Sequence, residues 1–117
     1  MATDESLSFS RNEGKTPGVE IIYLTGPLIL RNLFAIQDDL RGSAPCANTI
    51  LDFTAVPYID SGGMGAVINH YVHCQKCGCK LIVAGVNGRV LELFRLTKVD
   101  TIIPMAASVA EAESQIT

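Results

Sequence analysis

Asp60 and Ser61 stand at the end of an apolar run and are followed by Gly62-Gly63-Met64-Gly65. A carboxylate beside a hydroxyl before a flexible turn can do three things: cap a helix, present a nucleophile, or offer a serine for phosphoryl transfer. Capping is the ordinary use, because side-chain oxygens of Asp and Ser accept from amides that have no partner inside the helix. Nucleophilic hydrolysis is poorly served. Asp60-Ser61-Gly62-Gly63 is not Gly-x-Ser-x-Gly, and His70 and His73 fall on the following helix with no obvious aim back at Ser61. Nor is Gly-Gly-Met-Gly a phosphate loop or a full dinucleotide fingerprint.

A second cluster, His70, His73, Cys74, Cys77 and Cys79, has zinc-ligand residue types. Its spacing places His70, His73, Cys74 and Cys77 on one continuous helix, which cannot readily enclose a tetrahedral ion. Cys74 and Cys77 also make a Cys-x-x-Cys pair, but near the expected C-terminal end of that helix, where carbonyl dipoles disfavour a thiolate. Together with Cys46, these thiols read as reduced, and no disulfide framework, metal or cofactor is expected. Asp38 and Asp39 read as a solvated helix face.

The elements that must position Ser61 follow from periodicity. Ser6–Arg11 suits a short edge strand, Asn12–Gly18 a polar turn, and Val19–Thr25 a second strand. Leu30, Leu33, Phe34, Gln37 and Leu40 fit an amphipathic helix ended by Gly42 and Pro45. Ala47–Phe53 is a central strand enclosed on both faces, and the helix after Ser61 runs to Cys77. Lys80–Ala84 and Thr101–Ile103 read as strands, with Val90–Leu96 a helix between them. Ser108 with Glu111 three residues on is a capping-box signature for a last helix to Gln115. Met64, Val67 and Ile68 have the spacing of a face packed on the sheet. Alternation of strands and helices predicts an α/β fold.

Composition bounds the function. At 117 residues and 48% hydrophobic, the chain fits one domain. A net charge of -3 argues against broad binding to nucleic-acid phosphates or an anionic membrane. No run of about 18 apolar residues reads as a membrane span, and Met1–Ser6 lacks the order of a secretory signal, so a cytoplasmic protein is expected.

Three stretches together resemble a known family. Leu24-Thr25-Gly26-Pro27-Leu28, then Ile50–Phe53 through Ile59-Asp60-Ser61-Gly62-Gly63-Met64-Gly65, then Leu91–Thr97, look like successive signatures of the STAS domain, the sulfate transporter and anti-sigma factor antagonist fold. The similarity runs from about Ser6 to the C-terminus. It implies a single STAS-like domain over residues 6–117 after a flexible stretch 1–5. That domain would be a mixed, mostly parallel β-sheet of about four or five strands with helices packed against it. Free-standing members of this kind bind an anti-sigma factor that is also a serine kinase, releasing a sigma factor.

By the same resemblance Ser61 is the phosphoacceptor, Asp60 its acidic neighbour, and Asp60, Ser61, Gly62, Gly63 and Met64 form the partner-binding switch loop. The chain would be a kinase substrate and not an enzyme. Its partner would be the anti-sigma kinase; direct nucleic-acid contact and membrane insertion are not expected, and homo-oligomerisation is left open. Two residues depart from the family pattern. Gly62 stands where a second Ser or Thr is usual, and Ile29 where a Gly-x-Leu-Asp loop supplies an aspartate. These departures keep a second reading in view, a STAS scaffold or regulatory subunit that mediates protein–protein interaction without phosphorylation.

Overall fold

A computed structural model of the chain describes residues 7–33 and 48–116. The expected helix positions Phe34, Gln37 and Leu40, its stops Gly42 and Pro45, and Asp38, Asp39 and Cys46 lie outside the described residues. Residues 30–33 are helical.

Exposure alternates along β1 (Ser8–Glu13), with Phe9 and Arg11 half-buried between exposed residues, making it a half-covered edge strand paired antiparallel to β2 (Val19–Thr25) with Ser8 opposite Thr25 and Glu13 opposite Glu20. Nearly continuous apolar runs make β2, β3 (Asn48–Ala55) and β4 (Leu81–Ala84) interior strands, parallel to one another. A short β5 (Met105–Ala106) closes the five-stranded sheet in the order β1-β2-β3-β4-β5. The fold is thus the α/β mixed sheet expected.

The crossovers from β3 to β4 and from β4 to β5 each carry a helix. Helix α1 (Ser61–Cys77) starts at the Asp60 cap and stops at Gly78, whose left-handed backbone returns its amide to the carbonyls of Cys74 and Gln75. Helix α2 (Gly88–Leu96) is capped by Asn87, and α3 (Val109–Ile116) follows β5. The Ser108 hydroxyl accepts from the Glu111 amide at 3.2 Å, the first half of the expected capping box.

Alternation along the strands divides the core between two faces. On one, Ile22, Leu24, Leu51, Phe53, Leu81 and Val83 pack against Met64 and Val67 of α1 and Val90 and Phe94 of α2. Phe53 and Phe94 meet edge to face, ring centroids 6.3 Å apart. The other face, with Val19, Ile21, Ile50 and Ile82, is covered by Ala112, Val109 and Ile116 of α3. Glu113 of α3 accepts from the amides of Lys15 and Thr16, which fastens the β1–β2 turn to this helix.

One expected element is misplaced. Thr101–Ile103 does not form the last strand; Val99–Thr101 is a turn of 3-10 helix, and pairing with β4 begins downstream, at Met105. Lys98 adopts positive φ at 62° and turns the chain, so Val99 and Ile103 enter the core as isolated knobs. Of the β-branched run that suggested a strand, Ile103 alone is buried, while Thr101 and Ile102 are exposed. At the other end β1 runs Ser8–Glu13, two residues later than the expected Ser6–Arg11. Its register with β2 carries it into the stretch assigned to the turn.

His70 of α1 is 8% exposed, and its Nε2 has no hydrogen-bond partner among the described residues. Burial, then the neighbouring His73 and Arg11, push its imidazole down from 6.5 to about 4. The unfolded chain therefore binds a proton that the folded chain refuses, so this stabilisation is complete above pH 6.5 and disappears as pH falls toward 4. Up to roughly 3 kcal/mol is at stake for such a shift. His70→Leu should flatten the dependence of Tm on pH across this interval, checked by calorimetry at half-unit steps, while the wild type loses stability on acidification.

Candidate functional site

The loop Val56–Asp60 joins β3 to α1 and meets the segment that leaves β2. Leu28 and Ile59 form a single parallel bridge, with the Leu28 amide donating to the Tyr58 carbonyl at 3.1 Å and the Asp60 amide to the Leu28 carbonyl at 3.3 Å. The two connections thus run side by side beneath the start of α1.

Asp60 fastens them. Its carboxylate accepts from the Gly63 amide at 2.8 Å, the N-cap bond, and from the Leu30 amide at 3.2 and 3.1 Å. Partial burial raises this carboxyl, but the amides of Gly63, Leu30 and Gly62 together lower it further, so it titrates below the usual 3.8. Of the two candidate caps in the sequence, Asp60 takes the role. Ser61 becomes the first residue of the helix and is exposed.

The glycines serve contact. A Cβ on Gly63 would lie 1.9 Å from the Leu28 carbonyl oxygen, and one on Gly62 would lie 2.8 Å from the Leu30 Cβ. Only bare backbone lets the helix start seat against residues 28–30. Met64 turns inward and is buried, as is Gly63. Of the five predicted loop residues, Ser61 is therefore the exposed one, Asp60 and Gly62 are half-covered, and Gly63 and Met64 support from below.

A second contact was missed from sequence. Asn87 caps α2 through the Val90 amide at 2.8 Å and donates its other end to the carbonyls of Val56 and Pro57 at 3.2 and 3.1 Å. Arg89 lies over the Tyr58 ring, 5.0 Å from its centroid. Both hold the Ser61 loop to α2. The sequence signal was an Asn three residues ahead of Val90, where the apolar-periodic stretch begins, a cap type that also has amide donors.

The histidine and cysteine side chains do not converge. His70 and Cys74 are buried and His73 is exposed, with Cys77 Sγ 3.9 Å from His73 Nε2. Among the described residues no group of three or more His, Cys, Asp or Glu is placed to hold a metal ion. No helix among them is long and apolar enough to cross a membrane.

The STAS domain family model matches residues 12–112. No curated protein sequence matches the chain. Among solved structures, the chain is similar to an anti-sigma factor antagonist from Mycobacterium paratuberculosis, at 17% identity and TM-score 0.83, over 99% of this chain and 98% of that one. It is also similar to the phosphorylated form of the Bacillus cell fate determinant SpoIIAA, at 19% identity and TM-score 0.69, over 94% and 100%. A third match is the murine anion transporter Slc26a9, at 16% identity and TM-score 0.76, over 96% of this chain but 22% of the transporter.

The geometry makes two predictions. Gly63→Ala should cost about 3 kcal/mol or more, since a carbonyl must move, whereas Gly65→Ala, with nothing within 4 Å, should gain about 0.5 kcal/mol. Chemical denaturation of the two variants checks this opposition of sign. Asp60→Ala should cost about 1–2 kcal/mol at pH 7. Because the carboxyl is depressed, its contribution is full above 3.8 and is lost as pH falls through its lower folded value, so the stability gap between wild type and variant should narrow as a urea titration is carried below pH 3.8.

The match covers most of the chain, and the five-stranded mixed sheet agrees with it, so this chain belongs to the STAS domain family.

Proposed function

We propose that this chain is an anti-sigma factor antagonist that captures an anti-sigma factor with serine kinase activity and so releases a sigma factor, under control of phosphorylation at Ser61. The observation that carries the reading is an exposed serine at the first position of a helix whose entrance is fixed by Asp60 and two bare glycines. Similarity to antagonist structures, one of them a phosphorylated form, supports the same assignment. Residues 6–117 act as one domain in this reading, and the partner places it in the cytoplasm.

In the transfer step the Ser61 hydroxyl oxygen attacks the terminal phosphorus of ATP held by the kinase. The bond from that phosphorus to ADP breaks, ADP leaves, and the serine proton passes to a base of the kinase. Asp60 takes no proton in this scheme, because its carboxylate is committed to backbone amides. It sets where Ser61 stands. Phosphoserine adds about -1.5 to -2 charge beside that carboxylate, with three strongly hydrated oxygens. Amides at the helix start tolerate the anion, while a close-fitting partner surface does not.

A scaffold that binds proteins without phosphorylation is the second reading, favoured by one feature. Leu30 lies against Gly62, where the family pattern has a further hydroxyl. Incubation with an anti-sigma kinase from the same organism and ATP, followed by site-resolved mass spectrometry, separates the two. Phosphate is expected on Ser61 alone, and Ser61→Ala should hold the kinase permanently. Unmodified Ser61 under conditions that phosphorylate a control antagonist would leave the scaffold reading standing.

A further inference from the structure

Glycine is the poorest helix former after proline, so one inside a helix calls for a reason. Gly62 and Gly63 have theirs in the contact with residues 28–30. Gly65 has none inside the fold. It stands past the first turn of α1, its φ is not positive, and a Cβ built on it meets nothing within 4 Å among the described residues. Gly88 is equally open, but as the first residue of α2 it is not inside a helix.

Helix geometry says what the bare position faces. At 3.6 residues per turn, Ser61, Gly65 and Val72 lie within about 40° of one another around α1, and Gly65 is about 6 Å along the axis from Ser61. Met64, Val67, His70 and Cys74 are buried on the far side. The outward line carries no charge, Val72 is 43% exposed on it, and half-buried Ile68 flanks it. A solvent face of a helix ordinarily carries charged or polar side chains. In α1 the only Asp, Glu, Lys or Arg is Lys76, in the last turn.

Ser61 fixes the occupant of this line. An enzyme that phosphorylates that hydroxyl must bring the donor phosphorus to within about 3–3.5 Å of it, and so covers the next turn on the same side. We propose that Gly65 is the specificity-determining residue for docking of the anti-sigma kinase, its missing side chain admitting a close-fitting apolar element of the kinase that continues over Ile68 to Val72. The assignment rests on the antagonist reading and deepens it. The chain forgoes helix stability at position 65 to keep this approach open. Phosphate on Ser61, one turn away on the same line, obstructs the seated element with charge and bulk. Capture and release then use one helix face.

The test titrates the anti-sigma kinase with the full-length wild type, Gly65→Ala, Gly65→Leu and Val72→Asp, in the presence of ADP so that no phosphoryl group is transferred. Ala110→Leu, which adds bulk at an exposed position of α3 on the other face of the sheet, is the control. Gly65→Ala should bind about 10-fold more weakly than wild type, Val72→Asp about 30-fold and Gly65→Leu more than about 100-fold, with Ala110→Leu within about threefold. The Tm of Gly65→Ala should rise by about 2–3 °C, which separates lost docking from lost fold and keeps the test open if the leucine variant does not fold. At saturating kinase and ATP, Gly65→Ala should still receive phosphate on Ser61. Wild-type affinity in the folded Gly65 variants, with Ser61 phosphorylated, would overturn the role of Gly65 and leave the antagonist reading intact. A wild type that sediments as a dimer, and that Gly65→Leu returns to monomer, would assign the face to a second copy of the chain and overturn it as well. A wild type that neither binds the kinase nor is phosphorylated would sink the antagonist reading and this inference with it.

Discussion

One carboxylate holds the Ser61 end of the molecule together. Asp60 accepts from Gly63 inside α1 and from Leu30 on the segment leaving β2, so a single side chain both starts the helix and joins the two loops beneath it. Remove that junction and the position of Ser61 is no longer defined by the sheet. The close approach of Gly62 and Gly63 to residues 28–30 depends on the same junction, because bare backbone is useful there only if the opposing segment is held in place.

The rest of the fold serves to make that junction rigid. β2 and β3 lie adjacent and parallel in the sheet interior, which delivers their C-terminal ends, and the loops that follow them, to the same edge. Helix α2 adds a third support through Asn87 and through Arg89 over Tyr58. A fixed entrance allows a modification to act by charge and bulk alone. In the proposed switch, a change of about 3 kcal/mol in docking, roughly 150-fold in affinity, would exchange one partner for another without any refolding.

Much of this was legible in the sequence where one physical signal dominated. Val19–Thr25 was bounded correctly, because a continuous apolar run between polar turns has few alternatives, and α1 could be placed from its cap residues and helical spacing. The last strand was missed, because the β-branched residues Thr101–Ile103 have strand propensity but do not pair, and the left-handed turn at Lys98 leaves no composition signal. Of the site, Ser61 and the capping use of its acidic neighbour Asp60 were readable, but the second bond of Asp60, to Leu30, was not. Its hydrogen bond to Leu30 spans a separation of thirty residues, which no local pattern encodes. The same holds for Gly62, which reads alone as a departure from the family and in space as the seat for Leu30.

Exchange of partners without a change of fold is the central claim, and calorimetric titration of one anti-sigma kinase with the unmodified and the Ser61-phosphorylated chain tests it most directly. A loss of about 100-fold or more in affinity, with superimposable circular dichroism spectra for the two forms, is the expected result. Equal affinity for both forms would contradict it, as would a loss accompanied by rearrangement of the sheet.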